Sequence, residues 1–232
     1  MRDCAIVLLT LNEIQGLRAL WDRVPVSEFR ETFAVDGGST DGTVEFLAER
    51  GIRSVTQPIR GRGVAFRVAA EASHAERLVF FSPDGNEDPA DIARLDDCLV
   101  AGARVAIARR FGPGAVNEED GEALRLRARV NDTLSRIANG LFSSGGDRVW
   151  DTINGFRALR RADLLALDTS VKRFPIEYQI TIRAMQRGWP FAEVPTREGA
   201  RIGGERKAAS WPVGLDHLKV LATELHATRW LA

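Results

Sequence analysis

The chain has 232 residues, enough for one large α/β domain or two small ones at the soft guide of ~150 residues per domain. Hydrophobic residues make up 44% and charged residues 28%, which excludes a fibrous or disordered chain and permits a sizeable core. Lys plus Arg is 32 and Asp plus Glu is 32, so no global field draws the protein to nucleic acid or anionic lipid, and charge effects are local. The first apolar run, residues 4–9, is too short for the core of a signal peptide, so residues 5–9 read as a strand of a cytoplasmic protein. Further strands are expected at 32–35, 53–56, 77–81 and 104–108, alternating with helical segments in the pattern of parallel strands joined by crossover helices. Gly61-Arg62-Gly63 opens the third helix, and the fourth has Asp88 as N-cap, Pro89 at the first helical position and Asp91 in the first turn. From Phe111 the pattern changes. A loop rich in glycine and acid runs to Asp120, an amphipathic helix covers 122–141, a second loop spans 143–147, and an extended segment lies at 153–159. A helix at 176–187, a strand at 191–194, a basic loop at 197–207 and a last helix follow, with no linker or internal repeat. Cys4 and Cys98 show no metal or redox spacing and read as small core residues in a reduced compartment. No stretch approaches the ~18 apolar residues of a membrane span, so membrane contact is expected to be peripheral and no spanning anchor is expected.

In open parallel sheets ligands bind beyond the carboxyl ends of the strands. Those positions carry Thr10-Leu11-Asn12-Glu13 after the first strand, Asp36 through Thr43 after the second, Ser82-Pro83-Asp84-Gly85-Asn86 after the fourth, and Arg109-Arg110 after the fifth. Each has a local explanation alone: Asp41 or Thr40 as a helix N-cap, Asn12 as a cap of the first helix, the glycines as turn formers. Four such segments on one sheet edge point to a binding site. Gly61 and Gly63 do not make a dinucleotide fingerprint, because the third glycine position is Phe66 and the segment follows the third strand.

The segments AIVLLTLNE at 5–13, VDGGSTDGT at 35–43 and FFSPDGN at 80–86 resemble the nucleotide-binding half of family 2 glycosyltransferases of the GT-A fold. DTINGFR at 151–157, FPIE at 174–177, EVP at 193–195 and RIGGERK at 201–207 are similar to the second half of the branch that includes dolichol-phosphate mannose synthase. The resemblance spans nearly the whole chain. It implies a single GT-A domain over 1–232, a Rossmann-like, mostly parallel sheet flanked by helices, with a nucleotide-sugar half at 1–110 and an acceptor half at 111–232. It also implies inverting transfer of a sugar from a UDP or GDP sugar to a phosphate-bearing acceptor, a polyprenyl phosphate in that branch.

By the same resemblance, Thr10, Asn12, Glu13 and Asp36 contact the nucleotide, although Asn12 equally suits a helix cap. Ser82, Pro83 and Asp84 form the loop beneath the diphosphate. A departing nucleoside diphosphate gathers negative charge that a divalent ion or a guanidinium must neutralise. In the family this loop carries two acids separated by one residue, and here the first is Ser82. The site for Mg²⁺ or Mn²⁺ is thereby weakened to Asp84, with Asn86 as a further oxygen ligand. Gly37 replaces the second acid of the more usual pair after the second strand, and Asp88 and Glu87 are left outside the ion site.

The acceptor side is read from arginines. The resemblance favours Arg110, Arg127 and Arg201 as contacts to donor or acceptor phosphate, with Asn131 one turn after Arg127, and Arg206 and Lys207 in the basic loop. Helical periodicity puts Arg125 and Arg129 on one face and Arg127 roughly opposite. The competing explanation is surface ion pairing to Glu118, Glu119, Glu122 and Glu205. A polyprenyl phosphate, with a second pKa of ~6, attacks without a protein base. A hydroxyl acceptor needs one, and Asp151 or Glu177 is then the catalytic candidate, with Glu177 alternatively orienting an arginine. A soluble hydroxyl acceptor, or a non-catalytic nucleotide-sugar binding protein, are the alternative functions. His74, His217 and His226 fall on helices away from the strand ends and read as structural or solvent-facing. On the last helix Leu215, Leu218, Ala222 and Leu225 form a stripe that packs on the core or a second copy in a homodimer, or docks peripherally on a membrane.

Overall fold

The computed structural model describes residues 1–117, 122–143, 148–202 and 210–229. Strand β1 (Arg2–Thr10) is central, and its side chains dictate the layering. Ala5, Val7 and Leu9 point to one face of the sheet and Cys4, Ile6 and Leu8 to the other. All six are buried, so helices must cover both faces. Helices α1 (Ile14–Leu20), α2 (Thr43–Ala48) and α4 (Asp91–Val100) cover the Ile6 face through Leu17, Leu47, Ile92 and Leu95. On the Val7 face pack α3 (Arg62–Ala72), α5 (Glu122–Phe142), α6 (Arg161–Ala166), α7 (Ile176–Gln186) and α8 (Ser210–Arg229), contributing Phe66, Leu134, Leu164, Ile180 and Val220.

β1 pairs in parallel with β2 (Phe29–Asp36) on one side and β4 (Arg77–Phe81) on the other, and β3 (Arg53–Thr56) adds to β2. Beyond β4 lie β7 (Arg157–Arg160), β5 (Val105–Arg109) and β8 (Phe191–Pro195), for a sheet order β3-β2-β1-β4-β7-β5-β8. β7 is antiparallel to both neighbours, and β5 and β8 are parallel to each other. The expected mixed α/β, mostly parallel architecture is present, with the carboxyl ends of β1, β2, β4 and β5 on one edge. A two-residue parallel pairing of β6 (Val116–Asn117) with β9 (Arg197–Glu198) ties the glycine-rich loop to the basic loop.

Several boundaries differ from the sequence expectation. The extended segment at 153–159 is strand only from Arg157, because the residues before it are folded around the side chains of Asp151 and Asn154. Asp88 serves a turn that precedes α4. Its Oδ1 accepts the Ala90 N–H at 3.1 Å and its carbonyl accepts the Asp91 N–H at 3.0 Å. Cys4 is buried, Cys98 is half-buried, and both are thiols. Among the described residues no helix is long and apolar enough to cross a membrane.

One glycine fixes how a helix meets the site. A Cβ on Gly16 would stand 1.9 Å from the Pro83 carbonyl oxygen, so α1 rests directly on the loop after β4. Overpacking of this kind costs about 1–3 kcal/mol. Gly16→Ala is therefore expected to lower the thermal midpoint by roughly 2–4 °C for each of those kcal/mol. An unchanged melting curve would show that the helix can retreat from the loop at no cost.

Candidate active site

The β1–β2 register places Thr10 opposite Asp36, and the Thr10 hydroxyl donates to Asp36 Oδ1 at 2.9 Å. The same carboxylate accepts the N–H groups of Gly38 and Ser39, each at 2.8 Å, and the Ser39 hydroxyl at 2.5 Å. Asp36 therefore organises its own loop, and Gly37 is what that loop presents to the cavity. Asn12, with φ 55°, donates its backbone N–H to Ser39 Oγ at 2.9 Å and accepts the Thr40 N–H on its side-chain oxygen at 2.8 Å. It ties two loops together rather than capping α1. That cap comes from the neighbouring loop, where Asp41 Oδ2 accepts the Ile14 N–H at 3.1 Å while Oδ1 accepts the Thr43 N–H and hydroxyl. Asp36 and Pro83, two of the expected contacts, thus face protein, Pro83 being buried with its carbonyl against Gly16, and Asn12 is exposed with its side-chain oxygen taken by Thr40.

Thr10, Glu13, Ser82, Asp84 and Asn86 do converge, on a cavity of about 1130 Å³ that runs from this edge to α5 and α8. Gly85, at φ 98°, makes the turn, and the segment 199–202 is strapped across it by the Ile202 N–H to the Asp84 carbonyl at 2.7 Å and the Gly199 N–H to the Asn86 carbonyl at 3.0 Å. The strap delivers Arg201. Its Nη1 donates to Asp84 Oδ2 at 3.0 Å and its Nη2 to the two Glu13 oxygens at 3.3 and 3.4 Å.

The donor atoms fit a divalent ion. Asn86 Oδ1 is buried with no hydrogen-bond partner, beside the Asp84 carboxylate, and both residues line the cavity. Mg²⁺ takes one or two protein oxygens and completes its shell with phosphate and water. Among the described residues no group of three or more His, Cys, Asp or Glu could hold a metal ion. Glu87 also lines the cavity and accepts the Ser82 N–H at 2.6 Å. Burial, and then the charge of Asp84, push its carboxyl well above the ordinary range.

On the acceptor side the two candidate bases turn out to be partners of arginines. Asp151 is fully buried and accepts Arg110 Nε at 2.8 Å, Arg110 Nη2 at 3.1 Å, and the N–H groups of Arg110, Ile153 and Asn154. Burial alone raises its pKa, but the Arg110 charge and these bonds outweigh it and hold the carboxyl below its usual value. Asp151 does not line the cavity, so the expectation of a catalytic base there is corrected: it aims Arg110, which does line it, with Glu198 at 3.8 Å on the other side. Glu177 lines the cavity but is nearly buried and accepts the Arg62 Nε–H. Orientation of an arginine, the alternative reading of Glu177, is what the geometry supports.

Arg62 is the site residue that the sequence reading passed over. Gly61 and Gly63 flank it because the 171–172 backbone closes over the start of α3: a Cβ at either would stand 2.2 or 1.9 Å from a carbonyl oxygen. A Cβ on Gly155 opposite would stand 1.7 Å from Arg62 Nη2, so the arginine head would have to move aside. A lone arginine between two glycines after a strand was the available signal. Beneath it Arg157, with no exposed surface, donates to the carbonyls of Asn154 and Glu177 and to the Thr181 hydroxyl. Burial pulls its guanidinium down to about 10, so it stays charged at neutral pH and adds a third fixed cation near Arg62 and Arg110.

The far end of the cavity is apolar. Val130, Leu134 and Ile137 of α5, Ile153, Phe174, and Leu215 and Leu218 of α8 line it, together with Arg129 and Asn131. Of the stripe expected to pack on the core or a second copy, or to dock on a membrane, Leu215 and Leu218 are open, at 58% and 51% exposed, while Leu225 packs against the core. The inner face of α8 is His217, Val220 and Glu224, where Glu224 Oε1 accepts Gln179 Nε2 at 2.7 Å and Arg183 Nε at 2.9 Å. Apolar periodicity cannot reveal a face whose polar groups are satisfied by a neighbouring helix. His217, expected to be structural or solvent-facing, is buried 5.4 Å from the Tyr178 ring and lines the cavity, while His74 and His226 are exposed. The Arg127, Arg125 and Glu122 side chains, and all of Arg206, Lys207, Glu118, Glu119 and Glu205, lie outside the described residues.

Residues 5–166 match the model of glycosyl transferase family 2. The chain belongs to that family. It is 29% identical over 204 residues to the glycosyltransferase AglJ of Haloferax volcanii, a match covering 86% of this chain and 64% of that protein. It therefore spans less than two thirds of that relative's length. With a polyprenol monophosphomannose synthase of Mycolicibacterium smegmatis it shares 27% identity over 207 residues, 82% of this chain and 75% of the relative. A crystal structure of glucosyl-3-phosphoglycerate synthase from Mycobacterium tuberculosis, in complex with Mn²⁺, UDP-glucose and phosphoglyceric acid, matches with a TM-score of 0.74 at 19% identity, covering 97% of this chain and 80% of that one. The fold is thus the GT-A fold of family 2 glycosyltransferases. The family match ends before Glu177, Arg201 and α8, so the acceptor side rests on the geometry above.

Proposed function

We propose that the protein is an inverting glycosyltransferase that moves a sugar from a UDP or GDP sugar to the phosphate of a polyprenyl phosphate. One observation carries the acceptor class: the acceptor-side carboxylates Asp151, Glu177 and Glu198 are each held against an arginine. An acceptor that is already ionised needs no carboxylate base. The apolar end of the cavity, between α5 and α8, then suits the hydrocarbon chain, and Arg110 and Arg201 stand where its phosphate would meet the donor. The phosphate-bearing acceptor of the mycobacterial synthase structure and the polyprenol specificity in the name of the M. smegmatis relative agree with this reading.

In the reaction an acceptor phosphate oxygen attacks the anomeric carbon on the face opposite the diphosphate. The new carbon–oxygen bond forms as the old one breaks, and the electron pair leaves with the nucleoside diphosphate. Arg110, aimed by Asp151, and Arg201 hold phosphate oxygens, and Arg62, aimed by Glu177, adds positive charge beside the donor. Asp84 and Asn86 would hold Mg²⁺ or Mn²⁺, which when bound supplies neutralising charge to the leaving diphosphate; with Ser82 in place of an acid this site is the weaker form of the family's pair. The outward Leu215 and Leu218 also suit docking at a membrane surface.

The test is a panel of UDP and GDP sugars with Mn²⁺ and polyprenyl phosphates of several lengths, with soluble hydroxyl acceptors alongside. Turnover confined to the phosphate acceptors is expected, and turnover with hydroxyl acceptors alone, or with none, would reject the reading. The double change Leu215→Ser with Leu218→Ser is expected to raise KM for a long polyprenyl phosphate roughly tenfold or more, because both leucines are half exposed and the bound chain would cover only part of the ~1.5–3 kcal/mol that full burial of each is worth. KM for the donor should stay within a factor of about two, because neither leucine reaches the diphosphate edge.

A further inference from the structure

We propose that Arg201 is a resident cation that occupies Asp84 in the unliganded enzyme, so that the divalent ion enters together with the diphosphate and not before it. The proposal rests on the reading of Asp84 and Asn86 as ion ligands. A loop with two acids would have one carboxylate for an ion and another for a guanidinium. Here Ser82 leaves Asp84 as the single carboxylate of the loop's pair, and its Oδ2 is taken by Arg201 Nη1 at 3.0 Å. The other edge of the same guanidinium faces both oxygens of Glu13, so one positive charge already sits between the two acids that border the diphosphate end of the cavity. All three side chains are largely shielded from water, where charges are screened little. A divalent ion brought to Asp84 alone must therefore displace or approach a like charge.

The strap makes the exchange possible without unfolding the loop. Backbone bonds from Gly199 to Asn86 and from Ile202 to Asp84 hold residues 199–202 in place whichever way the Arg201 side chain points. A diphosphate offers the planar guanidinium a bidentate partner of higher charge than a single carboxylate. When Arg201 moves to it, Asp84 Oδ2 is released at the moment the phosphate oxygens arrive to complete the ion's shell. Ion and nucleotide then bind with positive coupling, and by linkage each tightens the other equally.

Mn²⁺ binding, followed by the paramagnetic resonance of the unbound ion, tests this without any acceptor or turnover. For the wild-type protein, saturating UDP or GDP is expected to tighten Mn²⁺ about tenfold or more. Arg201→Gln is expected to tighten Mn²⁺ alone by about tenfold and to shrink the effect of the nucleotide, whereas Arg201→Lys, which keeps the charge but not the fork, is expected to leave Mn²⁺ alone as weak as in wild type while also shrinking the effect of the nucleotide. Ser82→Asp, which leaves Arg201 in place, is expected to tighten Mn²⁺ alone by a similar factor and covers the case in which Arg201→Gln does not fold. Equal Mn²⁺ affinity in wild type, Arg201→Gln and Ser82→Asp overturns the proposal while Asp84→Asn still abolishes binding. If, with saturating nucleotide, Asp84→Asn binds Mn²⁺ as well as wild type, the ion reading itself is wrong and the proposal falls with it.

Discussion

Asp84→Asn is expected to lower kcat/KM for sugar transfer by about 10³-fold, a loss in the range produced by removing one well-placed stabiliser of developing negative charge. The substitution keeps size and shape. Its Oδ1 can still accept the Asn86 N–H, now at 3.1 Å, and the strap across the loop is held by backbone bonds that the change does not touch. Stability should therefore move little, within about 2 °C in a thermal melt, because no buried charge is left without its partner: Arg201 keeps Glu13. What disappears is the negative charge that fixes a cation at the point where the diphosphate departs. Accordingly kcat should fall, the Mn²⁺ concentration needed for half-maximal rate should rise, and KM for the acceptor should change least. A variant within tenfold of wild type at saturating Mn²⁺ would show that the arginines alone neutralise the leaving group.

The fold was legible where local chemistry is dense. Strand ends carrying Thr10 to Glu13, Asp36 to Thr43 and Ser82 to Asn86 follow directly from apolar runs that stop at glycines and acids, and β1, β3 and β4 lie where those runs predict. Direction was not legible for β7, because a run of four residues between a loop and a helix has the same pattern whether it pairs parallel or antiparallel. Within the site, residue type was easier to read than orientation. Asp36 and Asn12 have the chemistry of ligand contacts, yet their polar atoms are used by Gly38, Ser39 and Thr40, and sequence spacing does not rank an internal donor against an external one. Arg62, Glu177 and Arg157 belong to one buried charge network drawn from three distant segments. Its pairing depends on close approach at Gly61, Gly63 and Gly155, which only the folded chain displays.

Asp151→Asn is expected to have the largest effect on stability, about 3–5 kcal/mol, since it leaves the buried Arg110 guanidinium without its bidentate carboxylate. For a chain of this size that is a fall on the order of 10 °C in the thermal midpoint. The pH dependence identifies the cause. The folded-state pKa of Asp151 lies below its ordinary value of 3.8, so its contribution is fully present above that value and is lost as pH falls through the lower folded one. The melting curves of wild type and variant should therefore differ by a constant amount at neutral pH and converge in acid below about 4. Activity separates aiming from base catalysis. If Asp151 aims Arg110, the surviving activity of the variant keeps the wild-type pH profile, KM for the acceptor phosphate rises, and Arg110→Ala gives no further loss when combined with it. If Asp151 were a base, kcat would collapse at unchanged KM and the acid limb of the pH profile would disappear with it. Five hydrogen bonds to one carboxylate, with no surface on the cavity, leave the first outcome as the one the geometry demands.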